Sequence, residues 1–146
     1  QLDRFLMRLS IGYPDRASEL RMLDKMPHEL AVTPVMSLEE LNGMRGLVGR
    51  IAVSEQVKAY ILMIVSATRT RQEIKLGCSP RASIALYKAS QAFAFMNNRS
   101  FVTPDDVKEL ASSVLSHRII LASGQNAFLN AEQIIANIIA DTVVPV

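Results

Sequence analysis

At 146 residues, 49% of them hydrophobic, the chain has material for one domain with a substantial core, which excludes a disordered polymer. A net charge of +2, with acids and bases mixed along the chain, lacks the basic stripe of a general nucleic-acid binder. The single cysteine, Cys78, excludes an internal disulfide and fits a reducing compartment, while the longest apolar run, Ala59–Val65, is far short of the about 20 residues a membrane span needs.

Taken in chain order, residues 4–12 alternate: Phe5, Met7, Leu9 and Ile11 share one face and Arg4, Leu6, Arg8 and Ser10 the other, a period that predicts a strand. No second stretch of comparable quality follows, so its ladder partners are expected outside this sequence. A chain starting at Gln1 in what reads as mid-domain sequence, with no signal peptide, is likewise expected to be part of a longer protein. Asp15 is expected to cap a helix reaching about Met26, with Leu20 and Leu23 buried, and residues 27–36, with Pro27 and Pro34, read as a connector.

From Ser37 onward the pattern is helical. Ser37 and Glu40 have capping-box spacing for a helix to about Val48, weakened by Gly43 and Gly46. Ser54 caps the next helix, with Val57, Ile61, Ile64, Val65 and Thr68 inward and Arg69 and Arg71 at its C-terminal end. Ser79 opens a helix to about Asn97, with Ala82, Leu86, Ala89, Phe93 and Met96 on one stripe. Thr103-Pro104-Asp105-Asp106 is a strong helix start, followed by Val107, Leu110, Ala111, Val114 and Leu115 facing inward to about His117. A last helix is predicted over about Ala131–Asp141, capped by Asn130, with Ile134, Ile135, Ile138 and Ile139 inward. The expected fold class is all-α: an antiparallel helical bundle over residues 37–146, preceded by a helix and connector over 14–36 and one orphan strand within residues 1–13.

Most chemistries find no support. His28 and His117 lie far apart with one cysteine available, so no zinc spacing exists and no metal ligand set is expected. There is no Gly-x-Ser-x-Gly elbow. Gly43–Gly49 is glycine-rich but lacks the lysine and following hydroxyl of a phosphate loop. His117 and Arg118 read as a helix-closing pair that complements the dipole, and Cys78 as a small residue in a tight loop. What remains is Gly77-Cys78-Ser79-Pro80-Arg81: Gly77 frees the backbone, Ser79 can cap, and Pro80 fits the first helical position. Arg81 then sits where the dipole disfavours a cation. Either it faces solvent, or an anion at that helix start resolves the conflict. Arg4 stands at the start of the predicted strand beside Asp3, and taken alone reads as a solvated strand end.

Taken together, these residues resemble the C-terminal part of a MoxR-family AAA+ ATPase, over nearly the whole chain. QLDRFLMRLSIGYPD (1–15) resembles the last strand of that family's α/β core and its exit toward the lid. IVSATRTRQEIKLGCSPRASIALYKASQAFAF (64–95) resembles the lid segment carrying the sensor-2 arginine, and RSFVTPDDVKELASSVLSHRI (99–119) the next lid helix. On this resemblance Arg81 matches the sensor-2 arginine, with Ser79 and Pro80 beside it at the nucleotide, and Arg4 matches the arginine finger that acts in trans. Cys78 replaces a frequent alanine, and Arg69 matches a recurrent arginine to which no role is assigned.

The resemblance implies ATP as ligand, with the phosphate loop and Mg2+-binding acids largely upstream of Gln1. It also implies ring assembly, usually as hexamers, and chaperone-like work in cofactor insertion or client maturation. Proteins with von Willebrand factor A domains are implied partners, and a cytoplasmic location is expected. Without the phosphate loop, these residues alone are expected not to hydrolyse ATP. A histone-fold-like DNA-binding or dimerisation module is the alternative reading, since Phe101–Val107 fits the start of its last helix; the low net charge argues against it. A plain helical interaction module would leave the first twelve residues without purpose.

Overall fold

The computed structural model describes residues 2–24, 33–122 and 127–145, with the backbone alone at 127–130. After a 3-10 turn at Leu2–Arg4 come α1 (Arg16–Asp24), α2 (Leu38–Val48), α3 (Glu55–Ala67), β1 (Ile74–Leu76), α4 (Pro80–Met96), α5 (Pro104–Leu115), β2 (Ile120–Leu121) and α6 (Ala127–Asp141). A second 3-10 turn, Ser116–Arg118, follows α5 directly. The molecule is mostly helical, as the pattern predicts.

The helix starts are built by side chains that satisfy orphan first-turn N–H groups. Ser37 Oγ accepts from Glu40 N while the Glu40 carboxylate accepts from Ser37 N, completing the expected capping box, and α2 runs unbroken through Gly43 and Gly46. Ser54 Oγ accepts from Val57 N at 3.3 Å. Thr103 and Asp106 form a second capping box, and the Asp106 carboxylate also receives the Arg99 guanidinium. Burial pushes the Asp106 carboxyl upward, but Arg99 and Thr103 outweigh it and hold its pKa below the usual range. Asn98 takes a positive φ of 55°, which asparagine tolerates, and reverses the chain between α4 and α5.

The core is shared by α3, α4, α5 and α6. Tyr60, Ile64, Leu86, Val107, Val114, Leu115, Ile135 and Ile138 are fully buried, and α4 packs chiefly on α5. Ala82, Ala85, Ala89 and Ala94 are buried along α4, small side chains that let its neighbours approach closely. Met96, expected on the inner stripe, is 77% exposed at the last position of α4.

Several expectations are corrected. The strand predicted over residues 4–12, its ladder partners expected outside this sequence, forms no ladder among the described residues. A strand needs an edge to pair with, and within the described residues this segment lies instead against α5 and the turn after it, through Arg8 N to Ser113 O at 2.9 Å. The ladder that does form is small, β1 with β2 antiparallel, Ile74 opposite Leu121 and Leu76 opposite Ile120. Asp15 caps α1 through Ser18 N at 2.7 Å, yet Leu20 and Leu23 are 53% and 81% exposed and α1 buries nothing. Among the described residues, α1 contributes none to the core. The helix end near Met26 and the connector residues Pro27 and His28 lie outside the described residues. Helix α6 starts at Ala127 rather than after Asn130, because asparagine is a tolerable helix residue and need not force a start.

Candidate functional site

The site grows from the loop that launches α4. Gly77 is there for space: a Cβ on it would lie 2.6 Å from Thr68 O and 2.8 Å from Arg69 Cα. That closeness lets the loop lie on the end of α3, where two bonds pin it and a third fixes the Thr68 hydroxyl that receives one of them. Cys78 N donates to Thr68 Oγ1 at 3.0 Å, Thr68 Oγ1 donates to Val65 O at 2.6 Å, and Arg69 Nε donates to Cys78 O at 2.9 Å. Arg69, without a role on sequence grounds, is thus a structural anchor for the start of α4. Cys78 is 2% exposed, and burial pushes its thiol pKa up, which argues against a reactive thiolate despite the helix start beside it.

Ser79 occupies the N-cap position with extended backbone but makes no side-chain cap. Its hydroxyl turns away and donates to the Asp3 carboxylate, at 3.0 and 3.2 Å to the two oxygens. The hydroxyl proton goes to an ionised carboxylate in a charge-assisted bond, which fixes the direction of the side chain, and Pro80 has already removed one orphan N–H. The capping role expected for Ser79 is therefore replaced by a link between the start of α4 and the N-terminal segment.

Arg81 is exposed on the first turn of α4 and lines a groove of about 610 Å³ together with Arg4, Asp3, Leu6, Lys88 and Arg118. The structure thus brings Arg4 and Arg81, 77 positions apart, to one surface. The side chains of Arg4, Arg81 and Lys88 make no hydrogen bond or ion pair among the described residues. Unpaired cations converging at a helix start form a field suited to a multiply charged anion. Ser79 lines a neighbouring cavity of about 540 Å³ with Arg69, Lys75 and Gly77, and Asp3 and Arg118 form the wall common to both. Pro80 lines neither.

Arg118 is the residue that sequence reasoning undervalued. Its side chain is 2% exposed. Nε donates to Val114 O at 2.8 Å, Nη1 to Asp3 O and Asp3 Oδ1 at 2.7 and 2.9 Å, and Nη2 to Phe5 O and Leu6 O at 2.5 and 3.2 Å. His117 Nε2 also meets Phe5 O at 3.2 Å, and burial holds the imidazole pKa below its ordinary value. The signal was present as a charged pair inside an apolar run, Val114-Leu115-Ser116-His117-Arg118-Ile119-Ile120. A buried arginine in such a run must be fully hydrogen-bonded. Among the described residues no three His, Cys, Asp or Glu side chains converge as a metal set, and no helix is long and apolar enough to cross a membrane.

Comparison with known proteins gives one family match and several relatives. The model of the AAA lid domain matches residues 66–138. The chain is 38% identical, over all of its length and 47% of the relative's, to the uncharacterized protein YeaC of Bacillus subtilis. It is 29% identical to the chaperone MoxR1 of Mycobacterium tuberculosis, over 98% of this chain and 41% of that one. A crystal structure of a candidate ATPase from Cytophaga hutchinsonii superposes with a TM-score of 0.84 at 32% identity, covering 99% of this chain and 48% of the other. The chain spans about half the length of the curated relatives it matches.

Proposed function

The chain belongs to the AAA lid domain family, with MoxR proteins among its relatives, and we propose that it forms the lid portion of a ring-forming MoxR-type AAA+ ATPase. The observation that carries this reading is the groove lined by both Arg4 and Arg81. Two cations matching two separate family motifs converge there, unpaired, at the start of one helix.

ATP supplies a triphosphate whose terminal phosphoryl group is transferred to water. Phosphoryl transfer relies on positioning and on stabilising charge at the transferring group, so the protein's contribution is placed cations. In this reading Arg81, fixed by the pinned loop and the first turn of α4, contacts the γ-phosphate and ties nucleotide state to the helical bundle. Arg4 reaches the same phosphate from its turn and stabilises the transition state as a finger acting across the subunit interface. Both arginines belong to one chain and line one groove, which favours their sharing a single nucleotide, the neighbour's. Lys88, two turns further along α4, adds to the local field. Ser79 and Pro80 serve by setting the start of α4. The groove residues fit a phosphate but supply no acidic cluster for Mg2+, so no step here is assigned to the ion.

The work done with this energy is proposed to be chaperone-like remodelling or cofactor insertion. Ring neighbours, and proteins with von Willebrand factor A domains, are the proposed partners, in the cytoplasm. The test is made in the full-length protein. Arg4→Ala and Arg81→Ala should each lower ATP turnover at least 100-fold, in line with the roughly thousandfold or greater contributions of trans arginines elsewhere, while a fluorescent ATP analogue still binds Arg4→Ala rings. The 146 residues alone should show no turnover. Wild-type rates in both arginine variants would overturn the reading.

A further inference from the structure

The Arg118 guanidinium grips the backbone on both sides of Arg4: the carbonyl of Asp3 before it, and those of Phe5 and Leu6 after it. The same guanidinium holds the Asp3 carboxylate, which in turn accepts from the Ser79 hydroxyl at the first position before α4. Ser79 is two residues from Arg81, and its carbonyl accepts from Ala82 N at 3.0 Å, closing the first turn of that helix. A continuous chain of hydrogen bonds therefore runs from the end of α5, through Arg118 and Asp3, to the start of α4. Arg4 is held at its middle, between Asp3 and Phe5, and Arg81 lies at its α4 end.

Such an array is not needed to fill the core. Burying a guanidinium is costly, and an apolar side chain of similar volume often serves stability as well or better. What the array does supply is geometry: a planar fork with its donors committed to fixed acceptors. We infer that Arg118, Asp3 and Ser79 are positioning residues that hold the two arginines of the groove at one fixed separation, so that both engage the same phosphate. This inference rests on the proposed function of the groove. It implies that the segment bearing Arg4 moves with the lid as one body, and that any change at the start of α4 is passed to Arg4 through a single carboxylate.

The test uses rings of the full-length protein and four variants: Ser79→Ala, Ser79→Thr, Arg118→Lys and Arg4→Ala. Ser79 is only partly buried, so Ser79→Ala is expected to fold, with a melting temperature lowered by a few degrees at most. A small misplacement of reacting groups costs up to about 100-fold in rate. Ser79→Ala should therefore lower kcat about 10-fold or more with KM for ATP within about twofold. Ser79→Thr, which keeps the hydroxyl, should recover most of that loss. Arg118→Lys, which keeps the charge but not the fork, should lower kcat at least as far as Ser79→Ala. If Arg4→Ala is inactive while Ser79→Ala and Arg118→Lys turn over at the wild-type rate, the positioning role is overturned and the groove assignment stands. If the losses appear only as raised KM or lowered melting temperature, the array is merely structural and the inference fails. If Arg4→Ala itself is fully active, the reading beneath the inference falls, and the inference with it.

Discussion

Gly77 shows how one missing atom organises the site. The carbonyl of Thr68 occupies the space a β-carbon would need, at 2.6 Å, and the obstacle is backbone, which yields little. Gly77→Ala should destabilise the fold by about 1–3 kcal/mol, the usual cost of overpacking, read as a lowered melting temperature. The adjacent surface substitution Lys75→Ala should leave stability within about 0.5 kcal/mol. His117 makes the second residue-scale prediction. Burial, with Arg118 nearby, lowers its pKa in the folded state against the opposing pull of the Phe5 carbonyl. The unfolded chain, with an ordinary value near 6.5, then binds more protons than the folded one just below that pH. Stability is therefore full above about pH 6.5 and is lost as pH falls through that value toward the lowered folded one. A denaturant titration series between pH 7.5 and 5 should show this slope, and His117→Gln should flatten it.

At the scale of elements, two helices that both look Ser/Thr-Pro capped in sequence are built differently. Thr103 is a working cap, reciprocated by Asp106, whereas Ser79 gives its hydroxyl to Asp3. Thr103→Ala should cost about 1–2 kcal/mol, and Ser79→Ala less than half of that, in urea unfolding. Equal costs would mean that Ser79 acts as an ordinary cap. This pair also marks how much was legible beforehand. Helices with long apolar periods, α4 and α5, were readable to within a residue or two, because burial every three or four positions leaves a repeated signal, whereas α3 ends at Ala67, short of the Arg69 and Arg71 expected at its end. The three-residue β1 and two-residue β2 are too short to show a period, and the alternation at 4–12 is real in sequence but the segment lies against α5 and the turn after it instead of pairing. For the site, the odd placement of Arg81 was visible locally. Its convergence with Arg4, and the grip of Arg118 on Asp3, depend on contacts between residues more than 70 positions apart, which no local pattern encodes.

For the whole molecule, the helical bundle serves as a frame that carries cations to one face. Its core lies in α3 to α6, and the N-terminal segment is tied to it by side-chain and backbone bonds rather than by deep burial. Phe5, Leu9, Ile11 and Tyr13 in that segment are more than 60% exposed, as are Met22 and Leu23 of α1. That unusual amount of apolar surface suits a chain that covers less than half the length of its relatives. Arg4 is proposed to complete a nucleotide site on an adjacent subunit. Mixed rings of the full-length protein, combining wild-type subunits with subunits carrying both an inactivating phosphate-loop substitution and Arg4→Ala, test it most directly. These doubly substituted subunits should silence their wild-type neighbours, so that turnover per wild-type subunit falls as their share rises, and falls further than with the phosphate-loop substitution alone. Turnover per wild-type subunit that is the same with and without Arg4→Ala in the partner subunits would contradict it.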